Sequence, residues 1–217
     1  MTDIDLKKDE YYAGRRDDLI EFIPEDARRI LEVGCGMGLT GRAIKAQRKD
    51  HIEVIGIEIE PGPAEKAKAN IDKVIVGNVE TLELPFEREY FDCILYGDVL
   101  EHLLNPWGLL AKHEKFLKQS GCVIASIPNV AHYRTIKMLR KKEWNYQGRG
   151  VLDKAHLRFF TKKSIKEMFE KAKLDIVKIS YKTSASNVKK FLNKIFFGAL
   201  LDDITEQYIV VARKSTG

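Results

Sequence analysis

Hydrophobic and polar positions along the chain switch repeatedly between the period typical of strands and the period typical of helices. Short apolar runs rich in β-branched residues predict five strands, at 28–33, 52–58, 73–77, 91–96 and 121–127. Helical spacing at 39–48, after Pro61 and Pro63, and at 106–117 predicts helices between these strands. Because strands and helices alternate, we expect a parallel sheet with helices on both faces.

The two ends of the chain depart from this alternation. Residues 10–22 predict a leading helix that ends before Pro24. The last third predicts two further helices and two further strands, at 130–141, 162–172, 174–181 and 207–213. Residues 187–201, between the last two strands, are basic and very apolar. We therefore interpret residues 1–217 as a single domain with an insertion at 182–204.

Composition narrows the class of protein. A length of 217 residues suits one α/β domain. The net charge of +5 is smaller than the excess typical of a dedicated nucleic-acid binder, so nucleic acid is not the expected partner. No run of about 18 apolar residues occurs, and the N-terminus lacks the apolar segment of a secretory signal, so we expect a cytoplasmic protein.

The strongest local motif is EVGCGMG at 32–38, between the first strand and the next helix. Glycines there allow a tight turn and let the backbone approach a ligand closely. Glu58 ends the second strand about 20 residues later, where an acid can accept both hydroxyls of a ribose. An NAD-binding enzyme shares these features. Here, however, the spacing is GxGxG rather than GxGxxG, and the acidic residue Glu32 precedes the glycines.

These motifs resemble those of class I S-adenosylmethionine-dependent methyltransferases. The matching segments are ILEVGCGMG, VIGIEIE, VGNVE and FDCILYGDVLEHL. The resemblance implies a Rossmann-like three-layer α/β sandwich, with a mostly parallel seven-stranded sheet whose last strand is antiparallel. It also implies that S-adenosyl-L-methionine is the cofactor. The cofactor-binding residues that it implies are Glu32, Gly34, Cys35, Gly36, Gly38, Glu58, Ile59, Asn78, Val79, Tyr96, Gly97 and Asp98.

Two of these positions carry a specific expectation. Asn78 stands where the family commonly has an acid that bonds the adenine amino group, and its amide oxygen can accept the same hydrogen bond. Tyr96, with the two residues that follow it, is expected to line the methionine end of the cofactor.

The segment Asp98-Val99-Leu100-Glu101-His102 follows the fourth strand. If Asp98 opens a helical turn, Asp98, Glu101 and His102 fall on one face. Three roles stay open: structural hydrogen bonds, general-base catalysis by His102 on a substrate hydroxyl, or a divalent metal that lowers the pKa of a bound hydroxyl. The third is suggested by a resemblance to ubiquinone-biosynthesis and small-RNA methyltransferases, whose patterns contain a similar acid-x-x-Glu-His. From the sequence we assign no metal ligand.

Two further histidines, His132 and His156, are candidates for contact with substrate. His132 follows the fifth strand, at the sheet edge where open α/β sheets bind ligands, and His156 precedes the next helix. Each has a structural role as its alternative. With His102, they form the set of candidate catalytic residues.

Residues 130–160 are expected to form a substrate-binding lid, with aromatic and cationic contacts from Trp144, Tyr146, Arg149 and Arg158. The alternative is a packed loop. The phrases IPNVAHYR, WNYQGRG and DKAHLRFFT resemble the branch of the superfamily that is associated with glycosyltransferases of cell-surface polysaccharide synthesis.

These observations predict an enzyme that methylates a hydroxyl of a small-molecule or saccharide-type acceptor, with His-assisted deprotonation. The alternatives are an RNA or protein methyltransferase, a cofactor-binding partner without catalysis, and an NAD-binding oxidoreductase. Residues 187–201 are expected to pack on the domain edge, to contact a membrane surface or to form a dimer contact, and the oligomeric state stays open.

Overall fold

The structure, a computed structural model, describes residues 12–48, 52–183 and 201–215. The strands are β1 (Arg29–Val33), β2 (Glu53–Glu58), β3 (Lys73–Val76), β4 (Phe91–Gly97), β5 (Leu117–Pro128), β6 (Leu174–Lys182) and β7 (Gln207–Lys214). The α-helices are α1 (Asp17–Ile20), α2 (Leu39–Gln47), α3 (Pro61–Ala67), α4 (Pro106–Glu114), α5 (Tyr133–Arg140), α6 (Lys162–Lys171) and α7 (Leu201–Ile204). Residues Leu100–His102 form a 3₁₀ turn.

All described strands belong to one seven-stranded sheet in the order β3-β2-β1-β4-β5-β7-β6. β7 lies antiparallel between β5 and β6, whereas the pairs from β3 to β5 are parallel. The predicted Rossmann-like α/β sheet with an antiparallel last strand is therefore confirmed.

The sheet is buried on both faces, which explains why its central strands are continuously apolar. Ile30 and Leu31, neighbours in β1, are both fully buried but belong to different apolar clusters. The cluster around Ile30 includes residues of α1, α2 and α3, and the cluster around Leu31 includes residues of α4 and α6. Helices thus cover the two faces and complete three layers.

The carboxyl ends of β1, β2, β4 and β5 meet at one edge because these strands are parallel. The glycine motif follows β1, and Glu58 ends β2. Asp98 follows β4, and Asn129 follows β5. The fold thereby gathers the predicted site segments at the edge where open α/β sheets bind ligands.

Two predicted boundaries differ from the structure. The helix expected at 10–22 is interrupted among the described residues: Tyr12 is helical, residues 14–16 belong to no helix, and α1 begins at Asp17. At this interruption the backbone N–H of Arg16 donates to Thr40 Oγ1 at 3.3 Å. The helix expected at 106–117 ends at Glu114, and β5 begins at Leu117, which pairs with Phe91 of β4.

Most of the predicted insertion at 182–204 lies outside the described residues, as does the basic apolar segment except for its last residue, Leu201. Within the three described ranges, no helix is both long enough and apolar enough to cross a membrane.

Candidate active site

The glycine loop at residues 34–38 turns sharply between β1 and α2. Gly34, Gly36 and Gly38 have φ angles of 69°, 54° and 73°, in the left-handed region. A Cβ at Gly36 would lie 2.6 Å from the backbone oxygen of Tyr12, and one at Gly34 would lie 2.7 Å from Val99 Cγ2. Both the backbone conformation and the close packing therefore require glycine in this turn.

This loop forms one wall of a cavity of about 450 Å³, which we call the glycine-loop cavity. The other walls come from the ends of β2 and β4, the turn after β3 and the N-terminal segment around Tyr12. The predicted cofactor residues that line it are Glu32, Gly34, Cys35, Gly36, Glu58, Ile59, Asn78, Val79, Gly97 and Asp98. The fold thus brings separate strand ends around one cavity.

Two acidic side chains of this cavity have different surroundings. Glu58 accepts hydrogen bonds from the backbone N–H groups of Gly36, at 2.8 Å, and Glu60, at 3.0 Å. Glu32 is buried, and its Oε2 has no hydrogen-bond partner among the described residues. Burial raises the pKa of Glu32 to about 7, although hydrogen bonds from Thr40 and a backbone N–H lower it. A buried carboxylate with one unpartnered oxygen is suited to bind an ammonium group.

A second cavity of about 500 Å³, which we call the histidine cavity, lies next to the first. Asp98 and His102 line both cavities. Its walls also include residues of α5 and of the segment 147–156. All three candidate catalytic histidines line it. Two adjacent cavities with shared walls can hold two reactants side by side.

Glu101, His102 and His156 form a compact cluster in the histidine cavity. One donor atom from each side chain lies within 4.8 Å of the others. His156 Nε2 is 3.9 Å from Glu101 Oε1, and the two imidazole centroids are 4.8 Å apart. Both carboxyl oxygens of Glu101 are buried, without a hydrogen-bond partner in the described part of the chain. Such a carboxyl group needs a proton or a cation to compensate for its burial.

Backbone carbonyls set the tautomers of the two clustered histidines. His102 Nδ1 lies 3.0 Å from the Ala155 oxygen, and His156 Nδ1 lies 3.0 Å from the Val151 oxygen. A carbonyl can only accept, so each Nδ1 carries a proton and each neutral ring leaves Nε2 unprotonated. Burial lowers the pKa of His156 and raises the pKa of Glu101 well above its usual value, which favours the neutral form of both groups.

Comparison with known proteins identifies the family. A family model described as a methyltransferase domain matches residues 7–179. The chain belongs to the methyltransferase domain family. Membership implies S-adenosylmethionine as the methyl donor, in agreement with the glycine-loop cavity.

Related sequences and structures agree with this assignment. A ubiquinone biosynthesis O-methyltransferase of Cereibacter sphaeroides is 27% identical over 166 residues, which cover 74% of this chain and 65% of that protein. An uncharacterized protein of Haemophilus influenzae is 32% identical over 111 residues, 42% of this chain and 43% of that protein. The chain thus spans less than two thirds of the length of these relatives.

A solved SAM-dependent methyltransferase from Archaeoglobus fulgidus shares the fold, with a TM-score of 0.69 over 98% of this chain and 100% of that one, at 20% identity.

Within this methyltransferase domain, Tyr96 and Gly38 do not line the glycine-loop cavity. The expectation that Tyr96 lines the methionine end is wrong, because its ring is fully buried and its hydroxyl bonds His113 Nδ1 at 2.8 Å. Successive strand residues point to opposite faces, so Leu95 lines the cavity instead. Gly38 forms the N-cap of α2.

Asp98 does not share a helical face with Glu101. It has a φ of 58° and precedes the 3₁₀ turn. Its carboxylate accepts hydrogen bonds from Arg16, from Gln207 and, at 3.0 Å, from Ser126 Oγ. The predicted constellation of Asp98, Glu101 and His102 is thereby replaced by one in which His156 takes the place of Asp98.

His132 lines the histidine cavity and also caps a helix. Its Nδ1 accepts the backbone N–H of Arg134 at 3.4 Å, at the start of α5. This ring nitrogen is therefore an acceptor, unlike Nδ1 of the two clustered histidines. The contact supports a structural role for His132 beside any contact with substrate.

The predicted lid contacts divide into two groups. Arg149 lines the histidine cavity. The Arg158 guanidinium donates to the Leu104 carbonyl, at 3.1 Å from Nε, outside the lining. Trp144 packs edge-on against Phe159, with centroids 5.3 Å apart, and it does not line the cavity either.

The N-terminal wall of the glycine-loop cavity was not predicted. Tyr12, Gly14, Arg16 and Leu19 all line it. The only sequence signal there is the basic pair at positions 15 and 16, which is also common on exposed helix faces.

Proposed function

We propose that this methyltransferase domain transfers the methyl group of S-adenosylmethionine to a hydroxyl of a small-molecule or saccharide-type acceptor, with His-assisted deprotonation. The observation that carries the proposal is that His102 lines both cavities and has its Nδ1 engaged, which leaves Nε2 free to take a proton. The acceptor oxygen bonds the methyl carbon, the carbon–sulfur bond breaks with its electron pair on sulfur, and His102 takes the hydroxyl proton.

The residues of the glycine-loop cavity fit this cofactor. The unpartnered oxygen of Glu32 suits the ammonium group of the methionine part, and Glu58 suits the ribose hydroxyls. Ile59 is 58% exposed at this cavity and offers an apolar surface to adenine. Asn78 Oδ1 accepts the Glu80 N–H at 2.9 Å, and its second lone pair can accept from the adenine amino group.

The acceptor would bind in the histidine cavity, beneath the segment 130–160 that we interpret as the lid. A volume of about 500 Å³ suits a ligand of small-molecule or saccharide size. The lining residues His132, Gln147, Arg149 and His156 belong to the three phrases that resemble the glycosyltransferase-associated branch. This coincidence supports a saccharide-type acceptor, and Arg149 suits a carboxylate or phosphate on it.

Transfer of a radioactive methyl group tests this proposal. The purified full chain is incubated with S-adenosyl-[methyl-³H]methionine and separate pools of nucleotide sugars, lipid-linked sugars, small hydroxylated molecules, RNA and protein. We expect label in a saccharide or small-molecule pool, as an O-methyl ether by mass spectrometry. Label confined to RNA or protein would replace the acceptor class, and cofactor binding without transfer to any pool would favour the non-catalytic partner.

The role of His102 is tested with His102→Gln. Loss of a general base lowers the turnover number by about 10²–10⁴-fold. We expect that fall with S-adenosylhomocysteine affinity unchanged within about threefold, because the base acts on the acceptor. Glu143→Gln, an exposed lid position outside both cavity linings, is the control. A normal turnover number in His102→Gln would return His102 to the structural role.

Metal-assisted deprotonation is the second candidate, and the Glu101–His102–His156 cluster favours it. Two imidazole nitrogens and a carboxylate form a ligand set that Zn²⁺ or Mn²⁺ accepts more readily than Mg²⁺, which prefers oxygen ligands. The backbone carbonyls of Val151 and Ala155 hold the rings by Nδ1, as outer partners of metal-bound histidines do. A bound ion would supply Lewis-acid stabilisation of the deprotonated hydroxyl.

Calorimetry separates the two candidates. The chain is stripped with EDTA, dialysed and titrated with Zn²⁺, Mn²⁺ and Mg²⁺. If the cluster is a metal site, one equivalent of Zn²⁺ or Mn²⁺ binds, and Glu101→Gln and His156→Gln each weaken binding about a hundredfold or more. Glu143→Gln again serves as the control. Full turnover of a chain that elemental analysis shows to be metal-free would leave His102 alone as the base.

The membrane contact, the dimer contact and the cytoplasmic location stay predictions. Both contacts were expected through residues 187–201, which lie almost wholly outside the described residues. The cytoplasmic location is likewise a proposal.

A further inference from the structure

Arg16 lies between two acidic side chains at the edge of the glycine-loop cavity. Its Nε and Nη2 donate to the two carboxylate oxygens of Asp18, at 2.9 and 3.1 Å, and its Nη1 donates to Asp98. Lys182 of β6 also binds Asp18, at 2.9 Å. A guanidinium fork can hold two carboxylates in fixed directions, which the single ammonium of lysine cannot do. Asp18 therefore orients Arg16 so that its remaining donors reach Asp98.

Asp98 receives hydrogen bonds from three separate parts of the fold. The donors are Arg16 ahead of α1, Ser126 in β5 and Gln207 at the start of β7. The backbone of Asp98 has a φ of 58°, a conformation that residues other than glycine rarely adopt. The network thus holds an unfavourable backbone conformation directly ahead of the turn that carries His102.

The position of this network links it to both cavities. Asp98 lines the glycine-loop cavity and the histidine cavity, as His102 does. The backbone N–H of Arg16 donates to Thr40 Oγ1 at 3.3 Å, and Thr40 also lines the glycine-loop cavity. Arg16 therefore contacts two residues of the wall of the cavity in which we place the cofactor, Thr40 and Asp98.

We propose that Arg16 is a positioning residue that holds Asp98, and through it the Leu100–His102 turn, at the boundary between the two cavities. Its catalytic consequence rests on the proposed methyl transfer, since a displaced His102 no longer meets the acceptor. The positioning itself can be measured without any acceptor, so its failure is distinguishable from failure of the proposed function.

Hydrogen exchange of the full chain with S-adenosylhomocysteine bound tests the proposal. Three backbone N–H groups report the turn: His102, bonded to Val99, and Leu157 and Arg158, both bonded to the Glu101 carbonyl. Removing a charge-assisted hydrogen bond should raise their exchange about tenfold to a hundredfold in Arg16→Gln, with no change in β1 or β4. Arg16→Lys should show the same local increase, because lysine cannot bridge Asp18 and Asp98.

The matched control is Arg15→Gln, since Arg15 is the neighbouring arginine and pairs with the exposed Asp17 at 2.7 Å. In Arg15→Gln, the N–H groups of His102, Leu157 and Arg158 should exchange as they do in the wild type. In the double variant with Asp98→Asn, exchange should rise no further than in Asp98→Asn alone, because Arg16 acts on the turn through Asp98.

Each other result overturns the proposal. Unchanged exchange with a tenfold weaker S-adenosylhomocysteine affinity would make Arg16 a direct cofactor ligand. Increased exchange throughout the sheet would make it a general stability residue, and wild-type exchange in Arg16→Lys would show that charge alone suffices. Once an acceptor is known, the turnover number of Arg16→Gln should fall at least about tenfold with cofactor affinity within about threefold.

Discussion

Glu32→Gln removes the buried carboxylate that we assign to the cofactor's ammonium group. Burial raises the pKa of Glu32 to about 7, so the free domain holds this carboxyl largely protonated in mildly acidic solution. An ammonium favours the ionised form, so cofactor binding should release a proton. Affinity should therefore increase as the pH rises toward 7, and the neutral amide of glutamine should abolish that increase.

The size of this effect follows from the ionised fraction. With a pKa of about 7, about 3% of the domain carries ionised Glu32 at pH 5.5 and about half does so at pH 7.0. The affinity for S-adenosylhomocysteine should thus increase about fifteenfold between these pH values, while the ligand's own amino group stays protonated. At pH 7.0, Glu32→Gln should bind about tenfold to a hundredfold more weakly, as expected for loss of a charge-assisted hydrogen bond.

Isothermal titration calorimetry at pH 5.5, 6.0, 6.5 and 7.0 measures both the affinity and, in buffers of different ionisation enthalpy, the released proton. Glu65→Gln, on the exposed surface of α3, is the control and should keep the wild-type pH dependence. A wild-type dissociation constant that stays within twofold across this range would refute the assignment of Glu32. The assignment would also be refuted if the affinity of Glu32→Gln for S-adenosylhomocysteine increased with pH as steeply as that of the wild type.

Three further predictions test the placement of single residues. Gly36→Ala should abolish measurable cofactor binding, because its Cβ would lie 2.6 Å from the Tyr12 oxygen at a positive φ; near-normal affinity by calorimetry would contradict this. Tyr96→Phe should leave cofactor affinity unchanged but lower the free energy of unfolding in urea by about 1–3 kcal/mol, since His113 Nδ1 loses its buried partner; weaker cofactor binding would restore Tyr96 to the site. His132→Ala should lower that free energy by about 0.5–2 kcal/mol and His132→Asn by less, because only asparagine can replace the helix cap; equal losses would disprove the cap.

The strands could be predicted because short apolar runs in the local sequence indicate buried strands. β1 and β4 are buried on both faces, so their apolar runs are continuous and end at glycines. The leading helix was overpredicted for the opposite reason. Apolar spacing continues through residues 10–22, but the N–H of Arg16 bonds Thr40, 24 residues away in the chain, and no local pattern reports such a bond.

The choice between Leu95 and Tyr96 shows that a motif can locate a strand end without telling which side chain faces the cavity. The FDCILYG segment correctly located the end of β4 at the site, yet a shift of one residue along a strand moves a side chain to the opposite face. The pattern of a strand buried on both faces does not distinguish its two faces, so the choice between Leu95 and Tyr96 required the structure.

The sequence by itself determined the order of strands and helices and the position of the glycine loop, because apolar periodicity and glycine positions act locally, and its motifs resembled those of the methyltransferase family that the comparison identified. The tertiary structure decided which charged groups meet. Arg16 reaches Asp98 across 82 residues of chain. His156 lies beside Glu101 because the backbone N–H groups of Leu157 and Arg158 donate to the Glu101 carbonyl. Such contacts depend on how irregular loops pack against each other, and irregular loops have no periodic pattern from which their packing could be predicted.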